Sequence, residues 1–333
     1  MRRLALVLLG IAALVLAFGR PVLWTEAALI VWDVAAGGEQ TLWQHLTDRP
    51  SDRAVRWFDG EGDLYTPATT ARAAMVLVPG AAVLGRDEPR LQALARTLAR
   101  AGFVVLVPEL PEVRRLALSC ADADRVSAAL QDDLAFVVGI GGYHDSEAAI
   151  RFVTTGAFRP LGDAREFRVT PNNYGRWAFL RANADRLDDA GDAFILQTIA
   201  HTRFQQPDAD VLPLAAKLGP DGRAVLALVE NRDPDTVTRL VAALPEKVRR
   251  EIDGLNLALH DLSRLHGHLI LVHGRGDRLV PYSESQVLAA AASNARVSLF
   301  LVDDIGHVDF NAVTAANGWK LWSAVATLLG ERR

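Results

Sequence analysis

Short, continuously apolar runs closed by glycine or proline alternate along this chain with longer stretches whose apolar residues recur every three or four positions. MVLVPG (75–80), FVVLVPEL (103–110) and LAFVVGIGG (134–142) are of the first kind, the pattern of strands buried on both faces. Between the first two, Asp87 and Pro89 mark a helix start, Leu91, Leu94, Ala95 and Leu98 form one stripe, and Gly102 closes the helix. Strand, helix, strand in this order predicts a parallel sheet with a right-handed crossover. Upstream, AVRWFDGEGDLYTP (54–67) reads as a hairpin turned at Asp59-Gly60-Glu61-Gly62. A helix is expected around residues 122–130. A second follows at SEAAIRFVTTG (146–156), capped by Asp145 or Ser146.

From about residue 160 to 265 the period is helical throughout, as in NYGRWAFLRANADRL and AFILQTIAHTRF, with no clear strand. The strand pattern resumes at HLILVHG (268–274) and RVSLFLVDD (296–304), with SESQVLAAAAS between them and WKLWSAVATLLG as a terminal helix. The expected organisation is an α/β core over residues 50–156 and 266–333, with residues 157–265 inserted as a helical cap.

The first 33 residues are of another character. After Met-Arg-Arg, residues 4–18 (LALVLLGIAALVLAF) are uncharged and apolar, and as a helix they span about 22 Å at 1.5 Å per residue. Two readings stay open: a signal peptide with small residues at 17–19, or an uncleaved anchor continuing through PVLWTEAALIVW (21–32) while Arg20 snorkels. Both place the folded part outside the cytoplasm.

Composition narrows the function. Half of the 333 residues are apolar, enough for a large core, and a net charge of -4 with scattered basic residues gives no footprint for nucleic acid. One cysteine, Cys120, excludes an internal disulfide and a cysteine-based zinc site. His266, His268 and His273 are close in sequence but lack acidic ligands in register, and Gly139-Ile140-Gly141-Gly142 puts His144 where a dinucleotide loop needs its third glycine. No metal or cofactor is expected.

The chemistry-bearing residues follow strands. LILVHGRGDRLVP sets Asp277 just beyond one apolar run, and LFLVDDIGHVDF sets His307 beyond the next. These two segments, with MVLVPGAA, GRDEPRLQALARTLARAGFVVLVPELP and GGYHDSEAAIRFVTTG, resemble a group of bacterial α/β-hydrolases that carry an N-terminal hydrophobic segment. The resemblance covers most of residues 71–156 and 262–310. It implies an α/β-hydrolase fold and ester (acyl) hydrolysis, with a small-molecule ester as ligand. Asp277 would orient His307, and the backbone of Ala81 and Ala82, after Gly80, would form the oxyanion hole.

The nucleophile is the departure: no serine stands in a G-x-S-x-G frame. In one alignment residues 134–139 are the elbow strand and Gly141 takes the nucleophile's place. In the other the elbow strand and its helix are absent between about residues 130 and 136. The remaining nucleophile candidates are Ser146, whose place in DSEA also suits a helix cap, and Cys120, which has no basic neighbour in sequence to activate it. Three readings stay open: an ester hydrolase, impaired unless its nucleophile lies outside the motif; a non-catalytic protein that binds a ligand or partner; and a deletion product of an active parent.

Overall fold

The computed structural model describes residues 20–37, 40–57, 60–80, 83–117, 119–130, 134–303 and 315–332. The chain divides into two compact units, one of residues 1–78, 86–109 and 310–333, the other of residues 79–85 and 110–309. The fold class is α/β, as expected, with parallel strands joined through helices and a run of helices inserted between two strands of the second unit.

In the first unit, β1 (Ser51–Trp57) and β2 (Gly60–Thr66) are antiparallel, β3 (Ala73–Val76) runs parallel to β4 (Phe103–Pro108), and the sheet order is β1-β2-β4-β3. The hairpin turns earlier than its glycines suggested, because Trp57 pairs with Gly60 and leaves residues 58 and 59 as the connection. Gly62 belongs to the sheet instead: a Cβ there would stand 2.4 Å from the Val107 carbonyl oxygen, so the close approach of β4 is what requires glycine. Helix Pro89–Arg100 makes the β3–β4 crossover, with Glu88 as its N-cap, and Gly102 at φ 93° lets the chain turn back into β4. Its Ala95, Leu98 and Ala99 are buried, as are Phe103, Val105 and Val107 on one face of β4.

The stretch considered above as an anchor's continuation is a helix of this unit, Pro21–Ala35, packed on helix Ala315–Leu329. Trp24 stacks on Trp319 at 5.5 Å and meets the edge of Trp322 at 5.3 Å, while the Trp322 indole donates to the Trp24 carbonyl. Glu26 pairs with Arg332. Asp33, 4 % exposed, accepts from the Thr41 and Thr97 hydroxyls and from the Gln44 amide at 2.9 Å. A buried carboxylate with three donors from two other helices explains why an apolar helix carries an acid on its inner face. Residues 4–18 lie outside the described residues, and among the described residues no helix is long and apolar enough to cross a membrane.

The second unit is built on three parallel strands, β5 (Phe136–Ile140), β8 (His268–Gly274) and β9 (Arg296–Val302), in the order β5-β8-β9. Helix Ser146–Thr155 follows β5 and ends at Gly156, φ 73°, where a Cβ would collide with the Val169 carbonyl oxygen at 1.8 Å. Two strands unseen in the sequence, β6 (Ala157–Phe158) and β7 (Phe167–Arg168), form a minimal hairpin there. The helices that follow bury their own core around Trp177, Leu180, Leu196, Ile199 and Leu218. A second cluster, of Leu228, Val237, Val241 and Leu244, packs on Ile150 of helix Ser146–Thr155.

Among the described residues the strands fall into sheets of four, three and two. The described chain between helix Cys120–Ala128 and β5 holds no strand, so β3 and β5 each have one described neighbour.

Asp33→Ala removes the shared acceptor of the buried Thr41 and Thr97 hydroxyls and the half-buried Gln44 amide and is expected to lower stability by about 2–4 kcal/mol. The measurement is the midpoint shift in urea unfolding, and an unchanged midpoint would show that water replaces the carboxylate.

Candidate active site

Because β5, β8 and β9 are parallel, their carboxyl ends form one edge, the place where open α/β sheets take ligands. The loops leaving that edge carry Tyr143 to Ser146 after β5, Asp277 after β8 and Asp303 after β9. His307 lies outside the described residues, as do Ala81 and Ala82.

Asp277 sits in a tight turn and is 6 % exposed. Its amide donates to the Gly274 carbonyl, and its Oδ1 accepts from the amides of Leu279 at 2.7 Å and Val280 at 3.0 Å. Oδ2 stands 3.7 Å from His273 Nε2. That imidazole is committed to the fold: Nε2–H donates to the Val280 carbonyl at 3.0 Å, and Nδ1 is hydrogen-bonded to the Ser285 hydroxyl at 2.7 Å. Both Ser285 and His273 are fully buried, so the pair supports the Asp277 turn from beneath and offers no accessible nucleophile.

A second support joins β5 to β8. Glu284, 4 % exposed, accepts the amides of His144 and Asp145 on one oxygen, Oε2, at 3.1 and 2.8 Å. Asn256 reaches Asp145 Oδ1 at 3.2 Å and the Ala258 amide donates to the His144 carbonyl, so the β5 loop is held from two further points. Burial raises the Glu284 carboxyl above its ordinary range; the two amides oppose this, and the Asp145 charge adds to it. Burial also lowers His144, opposed by the Asp145 charge, and its Nδ1 is buried without a hydrogen-bond partner.

The cap of helix Ser146–Thr155 is Asp145, whose Oδ1 accepts from the Glu147 amide at 2.8 Å. Ser146 is freed from capping. Its Oγ faces Tyr143, a phenol pushed up by burial, yet forms no well-shaped hydrogen bond and is closed off from solvent. Cys120 opens helix Cys120–Ala128, a position that ordinarily favours a thiolate. Here burial pushes the thiol up, and the neighbouring Glu251, whose carboxylate accepts the Cys120 amide at 3.0 Å, pushes it further. At the turn after β5, Gly141 has φ 63°, so a side chain in the place of the missing nucleophile would be strained.

The three histidines near β8 do not converge. His268 accepts from Arg296 on Nδ1 and donates to Ser298 from Nε2, and His273 is occupied as above. No group of three potential metal ligands occurs among the described residues. Sequence reasoning missed Glu284 and the His273–Ser285 pair. The only signal was polar density in HGRGDRLVPYSES, which does not distinguish a buried carboxylate from a helix-start charge.

No family model matches the chain, and no curated protein does. Solved structures are similar at low identity. Acylaminoacyl peptidase from Pyrococcus horikoshii shares 9 % identity over 79 % of this chain and 38 % of its own, with a TM-score of 0.38. An α/β-hydrolase superfamily protein from Enterococcus faecalis shares 12 % over 85 % and 99 %, TM-score 0.38. A dienelactone hydrolase-like promiscuous phosphotriesterase from metagenomic libraries shares 16 % over 86 % and 99 %, TM-score 0.34. The chain spans about two fifths of the length of the peptidase. Likeness at this level carries nothing about activity.

Glu284→Gln keeps an acceptor for the two amides and removes the titration. A carboxyl raised in the folded state binds its proton more tightly there than in the unfolded chain, so wild-type stability falls as pH rises from the ordinary value of 4.5 through the raised one. Denaturant unfolding across that window is expected to show the variant gaining on the wild type as pH increases; parallel curves would place Glu284 in water.

Proposed function

We propose that this chain is an α/β-hydrolase-family protein whose site takes a small acyl ester, with Asp277 and His307 as its carboxylate and imidazole. The supporting observation is the Asp277 turn: a buried carboxylate beyond the carboxyl end of a central parallel strand, fixed by two backbone amides. In that role Asp277 holds the His307 imidazole in the tautomer that accepts a proton and stabilises the imidazolium. The amides of Ala81 and Ala82 would polarise the ester carbonyl without needing any particular side chain. No metal or cofactor enters this chemistry, and no nucleic acid is a partner.

The nucleophile decides how far the reaction goes. Ser146 Oγ is closed off from solvent, Ser285 is buried against His273, and Cys120 is held as a thiol. These observations favour a protein that binds its ester and turns it over little, and they equally support a second reading in which it is a non-catalytic binder. Losing a nucleophile costs on the order of 10⁶ in kcat, with the oxyanion hole and binding leaving about 10³ to 10⁴ over water.

Purified protein is expected to hydrolyse short-chain p-nitrophenyl esters barely above background, and His307→Ala to be no slower. Fluorophosphonate labelling with peptide mapping tests this. A stoichiometric serine adduct that disappears in His307→Ala would establish an active hydrolase with a nucleophile outside its family's motif.

Residues 4–18, with their basic leader, support tethering to or export across a membrane, with the folded part outside the cytoplasm. The full-length chain is expected in the membrane fraction and to resist high-salt extraction. Native-length protein in the soluble cytoplasmic fraction would overturn the tether and the export reading alike.

A further inference from the structure

Helix Pro21–Ala35 has its charges on the wrong side for a helix that faces water. Its only ionisable residues, Glu26 and Asp33, are turned inward, one to Arg332 and the other into the Thr41, Gln44 and Thr97 donors. The exposed residues Pro21, Thr25, Ala28, Trp32 and Ala35 recur at helical spacing and carry no charge. The Thr25 hydroxyl is spent on the Pro21 carbonyl at 2.9 Å, which hides the one polar side chain of that stripe. Trp32 is 54 % exposed and Val22, beside the stripe at the helix start, 71 %. Trp319, stacked on Trp24 at the stripe's flank, is 38 % exposed.

We infer that this face is a bilayer-docking surface, occupied by the interfacial region of a phospholipid membrane. The sequence before the described residues favours that occupant: nineteen residues precede Arg20, and fifteen of them, residues 4–18, form an unbroken uncharged apolar run separated from Pro21 only by Gly19 and Arg20. Tryptophan is the side chain that most favours the headgroup boundary, where its ring is apolar and its N–H stays wet. A helix of fifteen residues with two acids does not span a bilayer, so its outward uncharged stripe would meet a membrane side-on at the headgroup boundary. The inference rests on the tether reading and adds to it: the tether brings the chain to the membrane, and this face sets which side of the first unit lies against it.

The test uses the full chain with Cys120→Ser and a single cysteine at Thr25, labelled with an environment-sensitive fluorophore. The control label sits at Asp208, exposed in the other unit. Vesicles of phosphatidylcholine and phosphatidylglycerol, with and without brominated acyl chains, are the probe. The label at position 25 is expected to shift to the blue on adding vesicles and to be quenched by the brominated lipid, while the label at 208 does neither. In the double variant Ala28→Glu/Trp32→Glu the quenching is lost although the protein still floats with the vesicles. Flotation without quenching at position 25 overturns the docking face and leaves the tether standing; failure to float overturns the tether. Shielding of position 25 without lipid also overturns the inference, assigning the face to residues 4–18 if it is independent of protein concentration and to a second copy if it grows with concentration.

Discussion

One oxygen of Glu284 accepts two successive backbone amides of the β5 loop, and the arrangement of the candidate site depends on it. β5 and β8 are neighbours in the sheet, but sheet hydrogen bonds end where the strands end, and the residues of interest lie beyond. A buried carboxylate at the start of helix Ser283–Ala291 carries the connection further. Charge-assisted bonds to backbone amides are about twice as strong as neutral ones, and burying the acceptor makes their loss costly. From this contact the rest follows by adjacency: Ser285, next in the chain, meets His273, and His273 bonds to the Val280 carbonyl of the Asp277 turn. The β5 loop and the Asp277 turn are thereby parts of one hydrogen-bonded body.

The same rigidity bears on the two positions weighed for a nucleophile after β5. Gly141 occupies the turn after β5 with a φ that a side chain resists, and Ser146 begins a helix that Asp145 already caps. Neither position needs to move for the fold to be satisfied. The β5 loop is held by the Glu284, Asn256 and Ala258 contacts, so a side chain placed at Gly141 would have to take up the positive φ of that turn, as the strained turn of a nucleophile elbow does.

What was legible in the sequence was what short-range periodicity encodes. The strands at 103–108, 136–140, 268–274 and 296–302, the crossover helix at 89–100 and the turn at Asp277 were all readable, because a buried parallel strand leaves a continuous apolar run and a glycine-bounded stop. The hairpin was placed two residues late, since Gly60 and Gly62 read as turn formers when Gly62 is there for the Val107 carbonyl. Glu284 was invisible for a related reason. Its partners are backbone amides 140 and 139 positions away, and amides leave no trace in a residue pattern.

Helix Pro21–Ala35 shows how the same limit misleads in the other direction. A window over residues 4–32 sees nearly unbroken apolar character and joins it into one anchor. Within the described residues its second part is a helix of the first unit, whose Asp33 and Glu26 have partners far along the chain, in Thr97 and Arg332, that no window contains. An acid in an apolar helix is tolerated at the centre of a folded unit when every lone pair has a donor, and three donors converge on Asp33. Once those acids are assigned inward, the apolar residues left outside cannot be counted as core. The hydrophobicity that made the segment resemble a membrane span is thus divided between two tasks: one stripe, through Ala27 and Ile30, closes the first unit, and the opposite stripe, through Ala28 and Trp32, is left facing out.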